Sequence, residues 1–238
     1  MVTLATVLLA GLLVPLGPFQ APVPPFAGDA ILLAYLFGLG RFFTTAAALD
    51  TGSSFEGMGA AREVTFACFS EPALFFALLV LARLSDSTEL TLSKMLHLQA
   101  QWKFSAPLVL VAVGLFVVLL AETCRIPVDD PNTHLELTMI HEVMVLDHSG
   151  PLLGTILYGA AVKLFVLGAF LLHVIVPWHP ATPSPASWVL FVAGMLGLSV
   201  AIGVVESTMA RVQIRHVPTL LIGAMLFCGF AFFLAART

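Results

Sequence analysis

Charge is what this chain has least of. Only 10% of its 238 residues are Asp, Glu, Lys or Arg, whereas a soluble domain carries about 25%. Hydrophobic residues make up 59%, and the mean hydropathy is +1.02. So little polar surface cannot cover a water-soluble globule, which excludes a soluble enzyme, a disordered tail and a nucleic-acid binder. The ten Lys and Arg form no basic patch, and the formal net charge is −4. Cysteine is sparse as well. Cys68, Cys124 and Cys228 are odd in number and dispersed in or beside apolar runs, which fits neither a disulfide framework nor a zinc site. Internal repeats and low-complexity tracts are absent, and no loop is long enough for a separate soluble domain. What remains is an all-α integral membrane protein, read as a single polytopic membrane domain over residues 1–238.

Seven segments approach the roughly 20 apolar residues of a spanning helix: 2–16, 31–49, 64–82, 104–121, 151–178, 186–205 and 217–236. The first lacks the positive flank and cleavage site of a signal peptide, so it reads as a retained span. Prolines at 22, 24 and 25 end the first segment, and those at 177, 180, 183 and 185 follow the fifth. Lys and Arg in the loops do not orient the chain. Arg62, Arg125, Arg211 and Arg215 on one side balance Arg83, Lys94, Lys103 and Arg237 on the other. The acids do break the symmetry, because the side with loops 50–63, 122–150 and 206–216 holds most of them.

Three charges fall inside the spans: Arg41, Glu71 and Lys163. A charge at the centre of a lone spanning helix costs about 2.5–3.5 kcal/mol on the insertion scale. Three of them imply mutual pairing that locks helices together, or an interior polar path. Pro72 directly follows Glu71 and leaves a carbonyl one turn earlier without its partner, beside a carboxylate suited to taking up and releasing protons.

The loop 122–150 is the most informative. Thr133 and Glu136 have the spacing of a capping box and predict a short amphipathic helix over about 133–148, ending before Gly150-Pro151. His134, His141 and His148 recur every seven residues along one face. That spacing sets them about 10 Å apart along an axis, which argues against metal binding. A zinc-peptidase His-Glu-x-x-His also fails, because Val145 stands where the second histidine belongs. A proton relay of acids and histidines is the sharper reading. The plainer one is a helix that docks on a soluble partner. The Gly-rich segment 51–63 lacks the Lys-Ser/Thr end of a phosphate loop and reads as a lipid-surface turn.

Three stretches carry a family resemblance: Ala48–Glu63, Glu122–Glu142, which includes Pro-Val-Asp-Asp-Pro and ends in His-Glu, and Glu206–Arg211. They resemble the membrane subunit of formate hydrogenlyase and hydrogenase-4 type complexes, within the family of the complex I heel subunit (NADH dehydrogenase subunit 1, or H). The resemblance implies a fold of eight spans linking a peripheral redox arm to antiporter-like membrane subunits. It also implies an acidic channel that couples electron transfer to proton or sodium movement. Asp50, Glu63, Glu71, Glu122, Asp129, Asp130, Glu136 and Glu142 are then the channel acids. Arg41, Arg62, Arg125 and Lys163 are their charge partners, while His134, His141 and His148 remain relay candidates from the reading of the loop residues alone. No cofactor or metal is expected on this chain. Iron–sulfur clusters and a nickel–iron centre (or flavin) are expected in partner subunits, namely hydrogenase-like large and small subunits. The chain is expected in the cell inner (cytoplasmic) membrane, with its acidic side facing the cytoplasm. On this resemblance the chain is expected to start at the family's second span and to lack its first. Three alternatives stay open: the quinone-reducing NADH dehydrogenase heel, a stand-alone secondary transporter, and a passive membrane anchor.

Overall fold

The computed structural model describes residues 1–17, 21–85, 88–97, 105–129, 139–176, 185–209 and 212–237. Among the described residues, eight α-helices follow one another: α1 (Val2–Leu13), α2 (Asp29–Asp50), α3 (Ser54–Leu84), α4 (Leu92–His97), α5 (Ala106–Glu122), α6 (Gly150–Ile175), α7 (Pro185–Thr208) and α8 (Val217–Ala235). There is no strand among the described residues. Five helices, α2, α3, α6, α7 and the last (Ile214–Ala235 with its leading turn), are long and apolar enough to cross a membrane. The apolar α1 and α5 are shorter. The seven expected spans therefore all appear as helices.

Local chemistry explains many of the boundaries. Proline stands in the first turn of α5, α6 and α8, where its missing N–H has no intrahelical partner to lose. Gly28 precedes α2 with a φ of 86°, a left-handed conformation that favours glycine. Asp29, in the first turn of α2, is buried and its Oδ1 accepts the Leu92 N–H at 2.6 Å. That bond fastens α4, a helix outside the expected segments, back onto the entrance of α2.

Two sequence expectations change. The Gly-rich segment is not a surface turn, because helix α3 starts at Ser54 and runs 31 residues through it and past Pro72. The reason is packing: Gly59 lies against Val143 and Met144, and a Cβ there would also meet the Ile140 carbonyl at 3.0 Å. The expected helix over 133–148 lies partly outside the described residues. From 139 onward the chain forms a 3-10 turn, Glu142–Val145, in place of an α-helix. Tertiary bonds replace helical ones here. Asp129 Oδ2 accepts the N–H groups of Ile140 (3.1 Å) and His141 (3.2 Å), and Glu56 Oε1 accepts that of Asp147 (3.1 Å).

Helix α8 packs on α3 and α5, and α2 on α1 and α3. Small residues set the closest approaches, as expected where lipid supplies no hydrophobic drive between helices. Gly114 of α5 faces Cys228 of α8, and Gly40 of α2 faces Thr6 of α1. One continuous apolar core includes Leu33, Leu81, Leu119 and Phe170. By contrast, α7 contacts the bundle mainly through α6 and leaves Val189, Leu196 and Val200 exposed, as a lipid-facing helix would.

Candidate functional site

Helices α2, α3, α5 and α6 converge on Arg41. Its Nε donates to Glu63 Oε1 at 3.1 Å and its Nη1 to Glu71 Oε1 at 2.5 Å, and its Nη2 pairs with Glu122 Oε1. Glu122 accepts two further bonds, from Lys163 Nζ to Oε2 at 2.7 Å and from Ser70 Oγ to Oε1 at 2.9 Å. Glu63 lies about two turns before the adjacent Ser70 and Glu71 on α3, and the long Arg41 side chain reaches both acids. Three carboxylates and two cations leave one net negative charge when all are ionised. The Arg41 and Glu122 side chains are 7% and 4% exposed, whereas that of Glu71 is 45% exposed. The network is therefore deep at Glu122 and open at Glu71.

A cavity of about 80 Å³ adjoins the network. Its walls include Arg41, Glu63, Glu122, Cys124, His141 and Lys163. The charged side chains among otherwise apolar walls can hold a few waters. His141 and Cys124 lie outside the spanning helices. Burial lowers the imidazole pKa of His141, partly offset by the charge of Glu63. Burial pushes the Cys124 thiol well above its ordinary range, and Glu63 and Asp129 push it further. Both groups are thus held neutral beside charged neighbours.

The expected site residues sort into distinct places. Glu63, Glu71 and Glu122 join Arg41 and Lys163 in the network, and His141 reaches the cavity. Asp129 is buried nearby, where it clamps the backbone of 140–141. Glu142 is half-buried on the 3-10 turn behind His141. Arg62 donates to the Met139 carbonyl at 2.8 Å and braces the same loop. Asp50 is exposed at the end of α2. Arg125 stands apart from the network and pairs with Glu206 at 3.5 Å, at the end of α7. His148 lines a second, separate cavity. Asp130, His134 and Glu136 lie outside the described residues. The sequence reading missed Ser70, Cys124 and the fully buried Glu56. Ser70 is adjacent to Glu71, and that was the only signal for it. Among the described residues, no group of three or more His, Cys, Asp or Glu side chains could hold a metal ion.

The sequence matches the NADH dehydrogenase family over residues 1–237. Formate hydrogenlyase subunit 4 of Escherichia coli (strain K12) is 30% identical over 239 residues, covering 98% of this chain and 73% of that protein. Hydrogenase-4 component C of the same organism is 33% identical over 211 residues, covering 84% of this chain and 65% of that protein. The chain thus spans about three quarters of one relative and just under two thirds of the other. In fold, it is similar to a chain of the membrane-bound sulfane sulfur reductase, an archaeal respiratory membrane complex. The TM-score is 0.82 at 20% identity, covering 98% of this chain and 77% of that one. With a family match along nearly its whole length and spans arranged around paired intramembrane charges, the chain belongs to the NADH dehydrogenase family.

Proposed function

We propose that this chain is a membrane subunit of a complex I-like oxidoreductase of the hydrogenase type, in which electron transfer in a peripheral arm drives proton or sodium movement through the Arg41 network. The observation that carries the reading is the set of five charges shared by four apolar helices. Simple locking of helices needs one pair. A set with unequal cation and carboxylate counts and a water-sized cavity has room for alternative pairings. The similarity to formate hydrogenlyase subunit 4 and hydrogenase-4 component C favours the hydrogenase branch over the quinone-reducing one. Partner subunits would be hydrogenase-like large and small subunits, holding the iron–sulfur and nickel–iron centres, and antiporter-like membrane subunits. The cell inner membrane is the fitting location, with the acidic side and its cavity turned to the peripheral arm.

The chain's own part is electrostatic. Two unit charges about 4 Å apart interact by about 4 kcal/mol at an effective dielectric of 20, and about 1.4 kcal/mol moves a pKa by one unit. A change of charge at the mouth of the site can therefore redistribute protons among these carboxylates. Glu71, the most open acid, takes up or releases the proton. Arg41 then shifts its pairing toward Glu63 or Glu122, and Lys163 keeps Glu122 neutralised while it does so. Glu71→Gln keeps a hydrogen-bonding group but cannot ionise. In the assembled complex in sealed vesicles, this variant is expected to transfer electrons with ion translocation lost. Normal translocation per electron would remove the network from the mechanism.

A further inference from the structure

A second cavity, of about 200 Å³, lies between α1, α2, α6 and the 3-10 segment. It is larger than the cavity at the charge network and mostly apolar, yet it has one imidazole in its lining, His148. The Nδ1 of His148 is buried and has no hydrogen-bond partner. An unpaired buried polar atom is costly and calls for a reason. The two cavities share a wall built from Thr3, Thr44, Met144 and Ile156. Two of these four residues carry hydroxyls in an otherwise apolar surround. The Thr44 hydroxyl donates to the Gly40 carbonyl at 3.1 Å, which leaves its oxygen free to accept. On the far side of the wall stand His141, Glu63 and Glu122. The backbone N–H of His141 is held by Asp129, which fixes where its ring enters the first cavity.

From this arrangement we infer that His148 is the entry group of a proton route that runs from the second cavity, across the Thr3–Thr44 wall, to His141 and the carboxylates of the charge network. Imidazole suits the task, because it can take a proton on one ring nitrogen and release another from the opposite nitrogen, ending neutral as it began. A threonine hydroxyl accepts one proton and donates its own in the same way, which for Thr44 requires its hydroxyl to turn from the Gly40 carbonyl to the next acceptor, so neither group gains or loses charge over a cycle. The 3-10 turn Glu142–Val145 lies between the two histidines, with His141 lining the network cavity and His148 the larger one. The sequence spacing of seven therefore delivers one imidazole to each cavity rather than two to a common face. The route enters on the α1–α2–α6 flank, apart from the exposed Asp50 and from the Arg125–Glu206 pair.

This inference rests on the functional reading above, with the proton as coupling ion. Its test uses the assembled complex in sealed vesicles, reading proton movement with a pH-sensitive dye and electron transfer in the same sample. His148→Ala is expected to lose most of the protons moved per electron while electron transfer continues. Added imidazole, which the enlarged cavity can admit, is expected to restore them. Unchanged protons per electron in His148→Ala, or a loss that imidazole does not restore, overturns the route. Glu71→Gln run alongside separates the two ideas. If it translocates normally, the functional reading falls and takes the route with it. If it fails while His148→Ala translocates normally, the route alone is wrong.

Discussion

Arg41 holds three carboxylates at once, and neutralising it is the most informative stability experiment. In Arg41→Gln the Glu63 and Glu71 side chains lose their only cation among the pairs observed, while Glu122 keeps Lys163 and Ser70. The network goes from one net negative charge to two inside the bundle. Breaking a buried pair by removing one partner costs about 3–5 kcal/mol, because the other charge stays buried and uncompensated. Glu71 is 45% exposed and is rescued in part by water. Most of the loss therefore comes from Glu63 and from the weakened hold on Glu122. Lys163→Gln should cost less, since Glu122 retains Arg41 and Ser70. The double variant Arg41→Gln with Glu63→Gln should recover part of the loss, as expected for groups in one network. Thermal unfolding of the purified complex in detergent, followed by loss of this subunit, checks the order. If Arg41→Gln proves no less stable than Lys163→Gln, or if the added Glu63→Gln recovers nothing, the assignment of Arg41 as the centre of the network is refuted.

Two further outcomes follow from the loop that closes the site. Gly59→Ala places a methyl group against Val143, Met144 and the Ile140 carbonyl, and overpacking of this kind costs about 1–3 kcal/mol; limited proteolysis of the 139–149 segment should speed up, and equal rates would show that the contact yields freely. Burial lowers the pKa of His141, whereas the unfolded imidazole titrates near its ordinary value of about 6.5. The unfolded chain therefore binds this proton first, and the stability contributed by neutral His141 is present above that value and is lost as the pH falls through the folded, lower one. Melting temperatures measured from pH 7.5 down to pH 5 should fall less steeply in His141→Gln than in the parent, and parallel curves would count against a buried neutral ring.

The spans were legible because length and hydropathy report directly on lipid burial. Segments 31–49, 151–178 and 217–236 each fall on an observed helix, and the prolines in the first turns of α6 and α8 mark their starts. Arg41, Glu71 and Lys163 could be singled out because a charge within an apolar run is costly wherever the helix stands. The Gly-rich stretch misled for a related reason. Glycine in a sequence reads as a turn, but at Gly59 it serves the close approach of the 140–144 segment, far along the chain from it. The capping-box spacing at Thr133 described a local preference, and from residue 139 the carboxylates of Asp129 and Glu56 took the backbone N–H groups that a helix would have used.

Composition and periodicity by themselves determined that this is an all-helical membrane chain with ionisable groups sunk in its spans, because those quantities depend only on how each segment partitions between water and lipid. Which acid meets which cation was decided by tertiary structure. Glu63 and Glu71 share an arginine on another helix, Glu122 takes two cations, and Arg125 turns away to Glu206. Pairing depends on how helices cross and rotate against one another. The small residues at their contacts set that geometry, and no local pattern along the chain encodes it.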